Sequence, residues 1–165
     1  MSRVRPIGTV YTATVAAVAV TAAQDVFEIV SPSTSRVRIR EVRIAQYSDA
    51  GDAQAEMLSI LVMRGHTTSG SGGSSVTPNN VNHYSTLTAS STVEANNTTV
   101  ASNGSPVTLI ADAWNVQGGW WYTPDENEMI VIDVSTRLVF RITAPADSIT
   151  LNATLVFEEI GTIAV

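Results

Sequence analysis

The chain contains no cysteine and no lysine. The first absence excludes a disulfide framework, a thiolate metal site and a cysteine nucleophile. A chain with no disulfides to form can also mature in a reducing compartment. The second leaves nine arginines as the only permanently cationic side chains. Arginine suits contacts where a guanidinium forks or stacks, although a high-GC genome would deplete lysine as well. Charge is scarce overall: 15% of the 165 residues against the usual quarter, with a net charge of −6. That balance argues against binding nucleic acid by neutralising phosphates. Two explanations fit so little charge, a surface partly covered by other chains or one made polar by Thr, Ser and Asn. No apolar run reaches the length of about eighteen residues that a membrane helix requires.

Motifs that carry chemistry are missing too. There is no Gly-x-Ser-x-Gly elbow, no Walker loop and no His-Glu-x-x-His. His66 and His83 are far apart, with no carboxylate at ligand spacing. Asp49, Asp52 and Glu56 faintly echo a calcium loop. Asp125, Glu126 and Glu128 follow Pro124 as a solvated turn would. Asn96, Asn97 and Asn152 head glycosylation triplets, which read as chance matches in an Asn/Thr-rich chain. The chain is therefore read as non-enzymatic, with no catalytic, cofactor-binding or metal-binding residues assigned.

What is present is a period of two. In 148-SITLNATLVFEE-159, Ile149, Leu151, Ala153, Leu155 and Phe157 alternate with mostly polar neighbours, as in a half-buried strand. Noisier runs rich in Val, Ile and Thr occupy residues 9–20, 25–31, 35–47, 56–64, 106–114, 128–134 and 136–143, with a weaker one at 86–94. Ser31-Pro32-Ser33, Asn103-Gly104, Gly118-Gly119 and Ala144-Pro145 punctuate them. Within 35–47 the apolar parity jumps, from Val37 and Ile39 to Val42 and Ile44. A period of two cannot jump without an inserted residue, so a β-bulge is expected near Arg40-Glu41, unless the strand is buried on both faces. Residues 50–65 hold the best helix candidate, with Asp52 as N-cap, but a strand from Glu56 onward is preferred.

The Gly/Ser-rich segment 65–80 reads as a long exposed loop, and 94–105 as a second polar stretch of the same kind. Arg3 and Arg5 precede an apolar run that mimics a secretory signal, yet Pro6, Gly8 and several threonines interrupt it. It is read as an arm (residues 1–9) leading into a strand. About nine short strands with turns between them imply one all-β domain over 10–165: an antiparallel β-sandwich, jelly-roll-like, with an immunoglobulin-like sandwich as the alternative.

The aromatic residues concentrate in 114-WNVQGGWWYTPDENEM-129, which holds all three tryptophans. Trp120, Trp121 and Tyr122 would serve a sugar-binding module. On a strand, however, neighbouring residues face opposite ways. One indole then enters the core while the other covers a barrel end or meets a neighbouring chain, where tryptophan is over-represented.

The phrases 20-VTAAQDVFEIVSPS-33, 47-YSDAGDAQAEMLSILVMRG-65, 93-VEANNTT-99, 112-DAWNVQGGWWYTPDENE-128 and 144-APADSITLNATLVFEEIG-161 resemble the capsid decoration, or cement, proteins of tailed bacteriophages. The likeness spans roughly residues 10 to 161 and rests on texture and phrase order. It implies a β-sandwich homotrimer on the outer capsid surface, assembled in the host cytoplasm, that clamps adjacent major capsid proteins. It implies no membrane or nucleic-acid partner and no cofactor. Arg3, Arg5, Trp114, Trp120, Trp121 and Tyr122 are the candidate subunit or capsid contacts. The alternative is a carbohydrate-binding jelly-roll module of a phage tail or fibre.

Overall fold

The computed structural model describes residues 8–47 and 56–161. Strands β1 (Thr9–Val20), β2 (Gln24–Val30), β3 (Ser35–Gln46) and β4 (Met57–Thr68) come first. Three short strands follow, β5 (Ser74–Val76), β6 (Asn79–Asn80) and β7 (Thr92–Asn97). Then come β8 (Ser102–Asn115), β9 (Gly119–Tyr122), β10 (Val131–Ile132), β11 (Arg137–Ile142) and β12 (Ile149–Gly161). No helix occurs among the described residues, so none there is long and apolar enough to cross a membrane. Residues 1–7 of the arm, with Arg3 and Arg5, the carboxylates Asp49 and Asp52, and positions 50–55 of the helix candidate lie outside the described residues, and from Met57 the chain is the preferred strand.

The strands form two antiparallel sheets packed face to face. In sheet A the order is β10-β3-β12-β1-β6, with β9 sharing the free edge of β3. In sheet B it is β5-β7-β2-β11-β4-β8. The pairs nest: β1 with β12, β2 with β11, β3 with β9, β4 with β8. Two further ladders, β3–β12 and β4–β11, roll this long hairpin onto itself. That is the jelly-roll winding, so the expected β-sandwich is what the chain forms. Between the sheets lie Phe27, Phe140, Phe157, Ile39, Ile44, Ile60, Leu138, Leu155 and their neighbours, all without measurable exposure. They sit at alternate positions, as a strand with one inward face requires.

The parity jump in β3 has the expected cause. Phe157 pairs with Ile39 and Val156 with Glu41, so Arg40 is the extra residue. The bulge keeps Val37, Ile39, Val42 and Ile44 all inside, each fully buried. Arg40 itself reaches Glu158, a fully buried carboxylate on the outward side of β12, at 2.9 Å.

The segment 65–80 departs from the expectation of a free loop. Strand β4 runs on to Thr68, and β5 and β6 extend sheets B and A. Likewise 94–105 is divided between β7 and β8 rather than forming a loop. The glycines allow backbones to approach: a Cβ on Gly70 would stand 2.7 Å from Thr99 O and 2.8 Å from Asn97 Nδ2. Ser71 and Thr99 exchange backbone hydrogen bonds at 2.8 and 2.9 Å.

This excursion covers the outward face of sheet B and seals it with buried charge. Opposite Phe140 and Arg141 stand Phe27 and Asp25, so Val26 bulges and brings Asp25 to the same face as Glu28. Arg141 donates to Asp25 through Nε (2.6 Å) and Nη2 (3.2 Å), and Arg137 donates to Glu28 through Nε. The excursion supplies the remaining donors. Ala101 N reaches Asp25 at 2.7 Å, and Gly70 N and Asn97 Nδ2 reach Glu28 at 2.9 and 3.3 Å. Both carboxylates are essentially inaccessible. Val139, between the two arginines, is fully buried yet lies outside the inter-sheet core.

Removing one partner of such a pair strands a charge in a dry site. Arg141→Met is expected to cost about 3–5 kcal/mol. The same change at Arg36, whose pair with Asp133 is solvent-exposed, is expected to leave stability nearly unchanged. Urea denaturation of the two variants measures the contrast.

Candidate functional site

The aromatic segment begins at the end of β8. Trp114 faces inward, 2% exposed, and its Nε1–H donates to Gly118 O at 3.2 Å. The turn to β9 closes on Asn115, whose carbonyl accepts from Gly118 N (2.9 Å) and whose Oδ1 accepts from Gln117 N (2.9 Å). This turn carries the chain from sheet B to the β3 edge of sheet A.

On β9 the two indoles separate. Trp120 pairs with Ile44, faces the core at 7% exposure, and donates Nε1–H to Asp112 at 3.0 Å. Trp121 pairs with Arg43 and is 61% exposed on the outward side of sheet A. Tyr122 is half-buried. Its hydroxyl donates to Glu128 O and accepts from Ile130 N, both at 3.1 Å, which ties down the turn at 123–130. Burial, first, raises the pKa of this phenol. Asp125 accepts from Glu128 N within the same turn.

These positions correct the three-ring picture. Trp114 and Trp120 belong to the subunit's own core and are not free to meet a neighbouring chain, and Tyr122 is occupied internally. A flat sugar platform of Trp120, Trp121 and Tyr122 does not form. Trp121 alone presents a face to solvent.

Its ring is held. A Cβ on Gly119 would lie 2.5, 2.7 and 3.1 Å from three atoms of the Trp121 benzo ring. Only glycine two residues earlier lets the indole fold down over the strand, with the opposite face turned outward. The register then lays out a row across sheet A: Trp121 opposite Arg43, Arg43 opposite Thr154, Thr154 opposite Thr14. Arg43 is paired with Glu41 at 2.9 Å. A groove of about 360 Å³ follows this row and includes Asn152. Beside it β1 bulges between Val15 and Val18, with Ala17 at a left-handed φ of 54°. Asn152 Oδ1 accepts from Ala17 N at 2.8 Å.

The buried network on the other sheet was not legible as a site. His66, expected beside a polar loop, is 7% exposed there. Arg141 Nη2 lies 3.4 Å from His66 Nε2. A guanidinium can only donate, so Nε2 accepts and the proton sits on Nδ1, which is buried without a partner among the described residues. Burial, then the Arg141 charge, lowers the His66 pKa below its ordinary 6.5. No group of three or more His, Cys, Asp or Glu among the described residues is placed to hold a metal ion.

A histidine that stays neutral when folded binds fewer protons than in the unfolded chain. Its contribution to stability is full above pH 6.5 and is lost as pH falls toward the lower folded value. The melting temperature is expected to drop between pH 7 and pH 5, and His66→Gln to flatten that drop. NMR titration of the His66 ring is expected to give a midpoint below 6.5. Comparison with protein-family models, with curated proteins and with solved structures returns no match.

Proposed function

We propose that the chain is a structural virion protein, a decoration subunit. It binds the outer surface of a phage head as a homotrimer and stabilises contacts between major capsid proteins. The observation that carries this reading is an ordered loop with its apolar side chains turned outward. In the connection from β6 to β7, Val81, Tyr84 and Leu87 are 59%, 93% and 60% exposed. Large apolar groups exposed in such density mark contact surfaces.

The loop is not loose. Asn80 Oδ1 accepts from Asn82 N (2.8 Å), Asn82 Oδ1 accepts from Tyr84 N (3.1 Å), and Asn80 Nδ2 donates to Leu87 O (3.2 Å). Glu159 accepts from Ser90 N and Ser91 N at 2.8 and 2.6 Å, and Tyr11 donates to Thr88 O at 3.1 Å. A contact loop held in shape loses little conformational freedom on docking. It also shares an end of the sandwich with Gly8, whose N donates to Glu158 at 2.8 Å. The arm carrying Arg3 and Arg5 joins the domain there. On this reading the apolar loop and the basic residues of the arm act as a two-point grip, the arm adding a strand to a coat-protein edge on docking. Three such grips on one trimer bind far more tightly than one, because each later contact forms at high effective concentration.

Deletion of residues 1–8 and the pair Tyr84→Ser with Leu87→Ser are each expected to lower occupancy of purified capsids at least tenfold. The trimer mass should not change. Quantitative co-sedimentation with capsids measures it, and undiminished occupancy in both variants would contradict the reading.

A further inference from the structure

We propose that the outward face of sheet A, centred on Trp121, is a binding site for a neutral oligosaccharide, a role separate from capsid attachment at the Val81–Leu87 loop. The ring provides the first element. Its inner face lies over Gly119 and its outer face is open. The negative face of an indole attracts the weakly positive C–H groups on one face of a pyranose. Because the glycine backbone holds the ring down, stacking a sugar on it requires no rearrangement.

The second element is the polar row. The hydroxyls of Thr14 and Thr154 make no hydrogen bond among the described residues. Asn152 uses Oδ1 on Ala17 N, which fixes the amide, and its Nδ2 is a donor with no partner among the described residues. Hydroxyls that both donate and accept, together with an amide donor, match the hydroxyls of a sugar. From Trp121 to Thr14 the row crosses three strand spacings, about 14 Å. That exceeds one pyranose ring and fits a short oligosaccharide laid across the strands. The groove volume, about 360 Å³, lies in the range of small-ligand clefts.

Charge selects the class. Arg43, the only ionic group in the row, is neutralised by Glu41 at 2.9 Å. No unpaired cation remains there to favour a uronate, a sialic acid or a sulfated glycan. Arg43 Nε is held by Glu41, so its terminal nitrogens stay available as directional donors to sugar oxygens.

A third feature is strain. Ala17 holds a left-handed φ of 54°, which costs energy for any residue with a Cβ. The bulge containing it is stapled by the same Asn152 that borders the groove. Bulges of this kind re-aim side chains beside sites, and here the strained turn sets the Asn152 amide at the groove's edge.

The test uses the full chain. Maltotriose, cellotriose and N-acetylchitotriose are titrated against intrinsic tryptophan fluorescence and saturation-transfer NMR, after a glycan array that includes acidic sugars. At least one neutral glycan is expected to bind, with Trp121→Ala weakening it tenfold or more and Thr154→Val weakening it severalfold. Melting temperature and trimer mass should be unchanged in both variants. Four results would overturn the proposal: no neutral ligand on the array or in titration, binding confined to acidic glycans, binding unaffected by Trp121→Ala, or a change of oligomer mass in that variant. The last would assign the ring to a second copy of the chain. Capsid occupancy of Trp121→Ala is expected to stay normal, so this inference and the decoration reading fail separately.

Discussion

Two carboxylates buried on the outward face of sheet B constrain much of this fold. Asp25 and Glu28 cannot remain charged in a dry site without partners. Each has one arginine from β11 and backbone donors from the excursion between β4 and β8. The carboxylates thus define where Gly70 and Ala101 must lie, and through them the course of β5 and β7. An unpaired polar group is penalised far more than a paired one is rewarded, so such a network specifies a single arrangement more than it adds stability. The unpartnered Nδ1 of His66 sits at its margin, which makes it the place where the network meets pH.

Much of the architecture was legible because alternation survives wherever one strand face is apolar. The bulge at Arg40 could be read because apolar residues flank it on both sides and their parity disagrees. The bulge at Val26 obeys the same rule but was hidden. There the cue is ionic parity: Asp25 and Glu28 are an odd step apart, which would turn them to opposite faces, yet both pair with Arg141 and Arg137, which an even step places on one face of β11. Matching charges across strands, rather than apolar residues within one, would have exposed the inserted residue. Composition misled at 65–80, since glycine and serine signal a loop equally well where backbones must pass closely. The strand expected at 128–134 shrinks to two residues because the Tyr122 hydroxyl occupies Ile130 N and Asp133 opens a turn. Strands as short as β5 and β6 have no period to detect.

The aromatic segment shows how local chemistry divides function from packing. Consecutive indoles on a strand must part, so Trp120 closes the core and Trp121 is left on the surface. The preceding glycine gives the exposed ring its seat. The candidate contacts at Trp114 and Trp120 therefore resolve into structural roles. The exposed apolar loop at Val81–Leu87 carried no sequence signal beyond three apolar residues among polar ones, and only the fold shows them turned outward together. The proposed attachment at one end of the sandwich and the proposed sugar-binding face on its broad side are geometrically compatible, since the Val81–Leu87 loop and Trp121 occupy different surfaces of the domain.

The most direct test of this account is amide hydrogen exchange at Gly70 and Ala101. Both N–H groups donate to buried carboxylates, at 2.9 and 2.7 Å, from segments that composition alone would call loops. If the excursion is part of the cooperative unit, both amides exchange only on global unfolding, as slowly as core amides such as Phe140. Exchange of Gly70 and Ala101 at rates typical of open loops, with Phe140 still protected, would contradict it.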